Sequence, residues 1–331
     1  KRAPRPAVLP RDEGREMRTW TSTSGATLTA GESVETSDGL TLRDVSVVLD
    51  YPEGGMSGTI PEIVMTQSGG GVTVTVSEEY RMDMTVAPED GPEGTFALVI
   101  RQPGARMVAS GTPEDVTYDF TLPTLAMTMD GAEFEDEEFD MRLAVEMTGM
   151  AGTYRTTEGD MRRIESAFTA DGLAAALNVE APDDAGGTVE MTATVADLAS
   201  TSSGTLSTLG AMGDLAELLK AGLSSEGDFR HGALAYRLVG SGPDGDFTVD
   251  GTTETGTFDF VMSQEGLSYG ATNTGVTMQI GVAGIPFGPI TIGMEESGGR
   301  VTMPIAASDE PGDLALVLRL VGITISDPVW M

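Results

Sequence analysis

The chain has 331 residues, 19 Lys and Arg against 52 Asp and Glu for a formal net charge of −33, no Cys and a single His. That balance excludes a nucleic-acid surface, which needs clustered cations to displace phosphate counterions, and the lack of Cys excludes disulfide frames, thiolate nucleophiles and zinc ribbons. One His rules out metal sites built on two imidazoles, so any bound metal would be a hard cation on oxygen ligands; an apolar share of 40% is too high for a disordered acidic chain.

Residues 1–25 stand apart. Lys1, Arg2, Arg5, Arg11, Arg15 and Arg18 lie among Pro4, Pro6 and Pro10, with no apolar segment of the kind a signal peptide needs. The segment reads as a basic tail without a fixed fold, and the body as 26–331.

From Ala26 the pattern is strand, turn, strand. Apolar residues alternate with polar ones along Val45–Leu49, Val72–Val76, Met82–Val86 and Met127–Met129. The cleanest case puts Met141, Leu143, Val145 and Met147 on one face, with Arg142, Ala144 and Glu146 on the other. Such alternation marks strands with one buried and one wet face. Turn signals separate the runs, among them Gly69-Gly70-Gly71, Pro103-Gly104 and Pro243-Asp244-Gly245. The fold class is therefore mainly β: an elongated, twisted antiparallel sheet of about eighteen to twenty strands, curled into a groove or half-barrel.

One amphipathic helix interrupts the strands near 208–222. Leu209, Met212, Leu215, Ala216, Leu219 and Leu223 recur at three and four, Thr208 is placed to cap the start, and Gly222 to stop the end. A second helical start is read at Ser326-Asp327-Pro328. No apolar run approaches the ~20 residues of a membrane-crossing helix.

An internal echo divides the body into two related halves, 26–205 and 206–331. Gly94–Gly104 and Gly256–Gly266 share Gly, Thr, Phe, Val, Gln and Gly at the same offsets, and the stretch from Thr59 resembles that from Gly284. Shared turn chemistry and duplication of a β-meander both account for it.

Few motifs carry chemistry. Gly266-Leu267-Ser268-Tyr269-Gly270 spells a nucleophile elbow, but no helix follows it and His231 precedes the Ser, so a turn is the plainer reading. His231 reads as a surface or hydrogen-bonded imidazole rather than a general base. Asp244, Asp246 and Asp250 are the candidate metal ligands, though the spacing lacks the third ligand and the Glu of a calcium loop. The acidic run Glu133–Asp140 reads as a solvated hairpin tip. The 19 Met are more suggestive, because Met adapts to an irregular core or to an apolar groove. Met84, Met129, Met141 and Met147 are the candidate groove residues, with Leu215 and Leu219 of the helix as a lid.

Several stretches resemble one family. Thr27–Leu40, Arg43-Asp44-Val45, Ile60-Pro61-Glu62-Ile63, Tyr118–Pro123, Leu215–Gly222, Ile285-Pro286-Phe287 and Leu318–Val321 before Trp330 are similar to an uncharacterised alphaproteobacterial envelope family, a domain of unknown function. The similarity covers 26–331. It implies a periplasmic address, a removed signal peptide and a chain trimmed at both ends, and it carries no catalytic residue. The function expected is a non-enzymatic periplasmic β-scaffold, without a cofactor, that binds a lipid-like ligand or an envelope protein. The alternatives are a β-scaffold hydrolase or lyase using acidic residues, and an acidic structural or adhesive module with weak Ca²⁺ binding.

Overall fold

The structure, a computed structural model, describes residues 18–21, 26–51, 53–87, 93–134, 137–159, 161–180, 186–207, 215–243, 245–284, 288–305 and 313–326. The basic tail up to Met17, residues 22–25, Thr208, Asp244, Trp330 and the body of the second helical start lie outside the described residues; Arg18–Thr21, read with the tail as lacking a fixed fold, instead pairs with Thr27–Ala30. The fold is mainly β, a large antiparallel sheet with very little helix. In chain order the strands are β1 (Arg18–Thr21), β2 (Thr27–Glu35), β3 (Gly39–Tyr51), β4 (Gly54–Ser68), β5 (Gly71–Val76), β6 (Glu79–Val86), β7 (Gly94–Arg101), β8 (Arg106–Thr112), β9 (Asp115–Phe134) and β10 (Glu137–Thr157). There follow β11 (Met161–Glu180), β12 (Thr188–Ser207), the helix α1 (Leu215–Lys220), β13 (Ser224–His231), β14 (Leu234–Ser241), β15 (Phe247–Thr253), β16 (Thr255–Ser263), β17 (Gly266–Val282), β18 (Ile290–Met303), β19 (Ala315–Val321) and β20 (Thr324–Ile325).

Two compact units share these strands. The first comprises Lys1–Pro113, Tyr118–Met150 and Ala174–Met191; the second comprises Glu114–Thr117, Ala151–Leu173 and Thr192–Met331.

Each unit contains a run of six strands with the same pairing graph. A long first strand, β4 or β12, pairs with the second strand, β5 or β13, along its C-terminal part. The same long strand also pairs with the third, β6 or β14. The second strand pairs with the fifth (β8, β16) and the third with the fourth (β7, β15). The fourth then meets a long sixth strand, β9 or β17. The echo seen in the sequence does not mark equivalent places in this graph. Gly94–Gly104 contains β7, a fourth strand, whereas Gly256–Gly266 covers all but the first residue of β16, a fifth. Each string carries a strand that begins at its first Gly or one residue before it and ends ahead of a turn.

A change of phase explains how one face of a long strand stays apolar. In β3, Leu40 and Leu42 fall on even positions, but Val45, Val47 and Leu49 fall on odd ones. Strict alternation would send the two sets to opposite faces. Asp44, at φ 49° in the left-handed region, re-aims the strand, and the ladder pauses after Arg43–Glu62 opposite Pro61, which has no N–H to offer, then resumes at Val45–Ile60 in the same register. Gly31 lies beside it on β2, where an added Cβ would come 3.2 Å from that of Asp44. The same device recurs in the second unit. Asp197 (φ 52°) in β12 faces Gly232, and Gly275 (φ 60°) in β17 faces Glu254. At Gly275 the left-handed backbone favours glycine, and any Cβ there would require the Glu254 side chain to move.

The first unit's core assembles on that apolar face from Ala30, Leu40, Leu42, Val45 and Ile63, with Leu28, Ile60, Met65, Val74 and Val76 against it. Val45 is 0% exposed. Burying each large aliphatic here contributes about 1.5–3 kcal/mol. The helix ends as its sequence predicts: Gly222 N–H donates to Leu219 C=O (3.0 Å), Leu223 N–H to Leu218 C=O (2.9 Å), and Gly222 sits at φ 96°.

Candidate functional site

The candidate surface is the methionine-rich part of the first unit's apolar face. Directly opposed residues on antiparallel strands share a face, about 4.5–5.5 Å apart. One row across β3, β4, β6, β7 and β9 therefore reads Leu49, Met56, Met84, Phe96 and Ala132. The next reads Val47, Gly58, Met82, Leu98 and Met129. The opposite face carries Asp83, Arg81, Thr85 and Thr95, with Arg81 paired to Asp83 at 2.9 Å.

Burial is uneven along these rows. Met82 is 3% and Met129 5% exposed, so both act as core, whereas Met56, Met84, Phe96 and Leu98 are only half-buried although they lie mid-sheet. Of the four predicted groove methionines, Met84 and Met129 thus share one face across β7. Met141 and Met147 are half-buried on one face of β10, with Arg142, Ala144 and Glu146 exposed on the other. Leu219 of the predicted lid is 0% exposed and is packed against protein; nothing is described of the Leu215 side chain. Met56 was missed in the sequence because it sits among glycines, Gly54-Gly55-Met56-Ser57-Gly58, where no alternation is visible.

The polar candidates are placed apart. Ser268 lies mid-strand in β17, opposite Val261 and Thr302, and accepts a hydrogen bond from Arg300 Nη1 (3.2 Å). His231 lies opposite Gly256, five residues along β16 from Val261, which is roughly 17 Å at strand rise. Its Nδ1 is 2.8 Å from Gly232 O, and its ring lies over Gly256 where a side chain would otherwise be. Ser268 and His231 therefore form no nucleophile and base pair. Asp250 is paired with Arg237 across β14 and β15 at 2.8 Å, Asp246 is exposed before β15, and Asp244 lies outside the described residues. Among the described residues no three His, Asp or Glu are grouped to hold a metal.

The second unit has an open depression of about 450 Å³ on β12, β13 and β16, lined in part by Glu226, Asp228, Asp259 and Phe260. Its carboxylates are already engaged. Ser203 donates to Glu226 (2.9 Å), Thr201 to Asp228 (2.5 Å) and Arg300 to Asp259 (2.8 Å). Charge perturbation lies elsewhere, at Asp115, whose carboxyl is held below its ordinary value mainly by hydrogen bonds from Arg155, both 2.8 Å long. That pair is exposed and structural.

No family model, curated protein or solved structure matches the chain. Among the described residues no helix is long and apolar enough to cross a membrane, a statement that leaves β-barrels untouched.

Proposed function

We propose that the protein is a non-enzymatic β-scaffold of the periplasmic envelope whose first unit takes a lipid-like apolar ligand on its methionine face. The periplasmic address rests on the family resemblance. The observation that carries the ligand is the half-burial of Met56, Met84, Phe96 and Leu98 beside the buried Met82 and Met129. A face completed by its own packing would bury mid-sheet residues as the Leu40–Ile63 cluster does. Met and Phe suit this task, since Met reshapes at little cost around a chain of undefined length and its sulfur is polarizable. A ligand that covers the row gains ~25 cal/mol for each Å² of apolar surface removed from water.

The test is titration of the delipidated protein with a fluorescent fatty acid. Saturable binding is expected, weakened about tenfold, or about 1.4 kcal/mol, by the pair M56Q and M84Q. The exposed change V282Q in the second unit leaves it unchanged. Absence of uptake by well-folded protein, or equal loss in both variants, removes the reading.

A further inference from the structure

We propose that the β19 edge of the second unit is a self-pairing surface, and that two copies of this chain join there through antiparallel β19 strands related by a two-fold axis. Three observations carry it. First, β18 starts the six-strand graph a further time. β19 pairs along its C-terminal part (Glu296–Thr302), as β5 does on β4 and β13 on β12, and β20 pairs nearer its start, at Ile292 and Gly293. β19 is thus a second strand, and in both complete runs the second strand carries an antiparallel fifth strand on its other side. Among the described residues none pairs with the outer edge of β19.

Second, the edge is apolar. Leu314 is 70% exposed, Leu316 62%, Val317 59%, Leu318 73% and Leu320 58%. An unpaired ladder flanked by such side chains is a template for strand addition, and natural edges are usually blunted by charge or proline. This one has no acidic residue and no proline. From Leu314 to Ser326 there is no Asp, Glu or Pro, in a chain of net charge −33, and Arg319, the sole charge, is bound to Glu296 of its own chain.

Third, the sequence is self-complementary about Leu318 on one face. A two-fold antiparallel pairing there sets Leu318 against its own copy and Leu316 against Leu320, so apolar residues meet on that face; the other face sets Ala315 against Val321 and Val317 against Arg319, whose guanidinium is held by Glu296 of its own chain. Such an interface closes at two copies. Repulsion between two acidic bodies opposes it, so the dimer is expected to tighten as salt shortens the screening length, from about 10 Å at 0.1 M towards about 3 Å at 1 M.

Sedimentation equilibrium of the full chain, with and without added NaCl, reads the assembly. A monomer–dimer equilibrium is expected, stronger in high salt and weakened at least about tenfold in L318E, or about 1.4 kcal/mol. Because the chain has no Cys, L318C supplies a geometric reading that does not depend on affinity. Directly opposed residues have Cα atoms about 4.5–5.5 Å apart, within disulfide range, so L318C forms a covalent dimer under mild oxidation far faster than the exposed control V282C. A chain that stays monomeric in high salt, a dimer indifferent to L318E, open-ended aggregation, or equal cross-linking of the two Cys variants would each overturn the proposal.

Discussion

The two units solve one pairing problem with different side chains. In the first, the rows over β4, β6, β7 and β9 are filled by Met, Leu and Phe, which can shift to meet what covers them. In the second, rings lie on glycines directly opposite: Phe260 on Gly227, Phe247 on Gly240, Tyr236 on Gly251 and His231 on Gly256. A Cβ at Gly227 would come 2.7 Å from the Phe260 ring. Ring over glycine covers exposed backbone and fixes the ring, a device that pins strand register. The difference teaches that an identical strand graph leaves an adaptable surface where Met is used and a set surface where rings sit on backbone. The sole His, His231, belongs to the second group, its ring lying over Gly256.

The largest effect expected from breaking this contrast is in the first unit's core. L40A removes a side chain that is 2% exposed and should cost about 2–5 kcal/mol, read from the denaturant midpoint at unchanged slope. Next comes G251V, which places a branched side chain where Tyr236 lies and should cost about 1–3 kcal/mol in thermal unfolding. The matched change in the first unit, M84L, should cost less than about 1.5 kcal/mol; equal losses at the two sites would erase the distinction between set and adaptable rows. Charge acts on both units together. The melting temperature should climb with NaCl and level off, because −33 of net charge repels itself least when screened.

The smallest effect concerns pH. Asp115 has a folded pKa below its ordinary value near 3.8, held there by Arg155, so its contribution is full above that value and fades as pH falls through the lower, folded one. Wild type and D115N should therefore differ by a constant increment near neutrality and converge in acid; a gap that widens as pH falls contradicts the sign. The exposure of the pair keeps the increment small.

Much of the fold was legible because alternation is a local consequence of the pleat. The half-buried Met141, Leu143, Val145 and Met147 and the exposed Arg142, Ala144 and Glu146 lie as the pattern reads. The end of α1 at Gly222 was equally local, since an αL residue there closes two backbone bonds. The phase change is visible in the sequence, where Leu40 and Leu42 fall out of step with Val45 and Val47. It could not be assigned to Asp44 without knowing that Pro61 and Gly31 lie opposite.

The candidate site was legible by residue type and not by partner. Met84 and Met129 were singled out for their alternation, yet which methionine is core and which is half-open depends on the strands beside it, and Met56 has no periodic signal at all. The chain by itself determined strand-rich structure, an acidic body and the lack of cysteine or multi-histidine chemistry, because each follows from composition or from neighbours one or two residues apart. Only the tertiary structure decided that β7 and β16 occupy different places in their runs, that His231 and Ser268 lie far apart, and that no described residue pairs with the outer edge of β19. Each of those is a matter of which distant strand supplies the hydrogen bonds, and backbone N–H and C=O groups, alike at nearly every residue, carry no address in the local sequence.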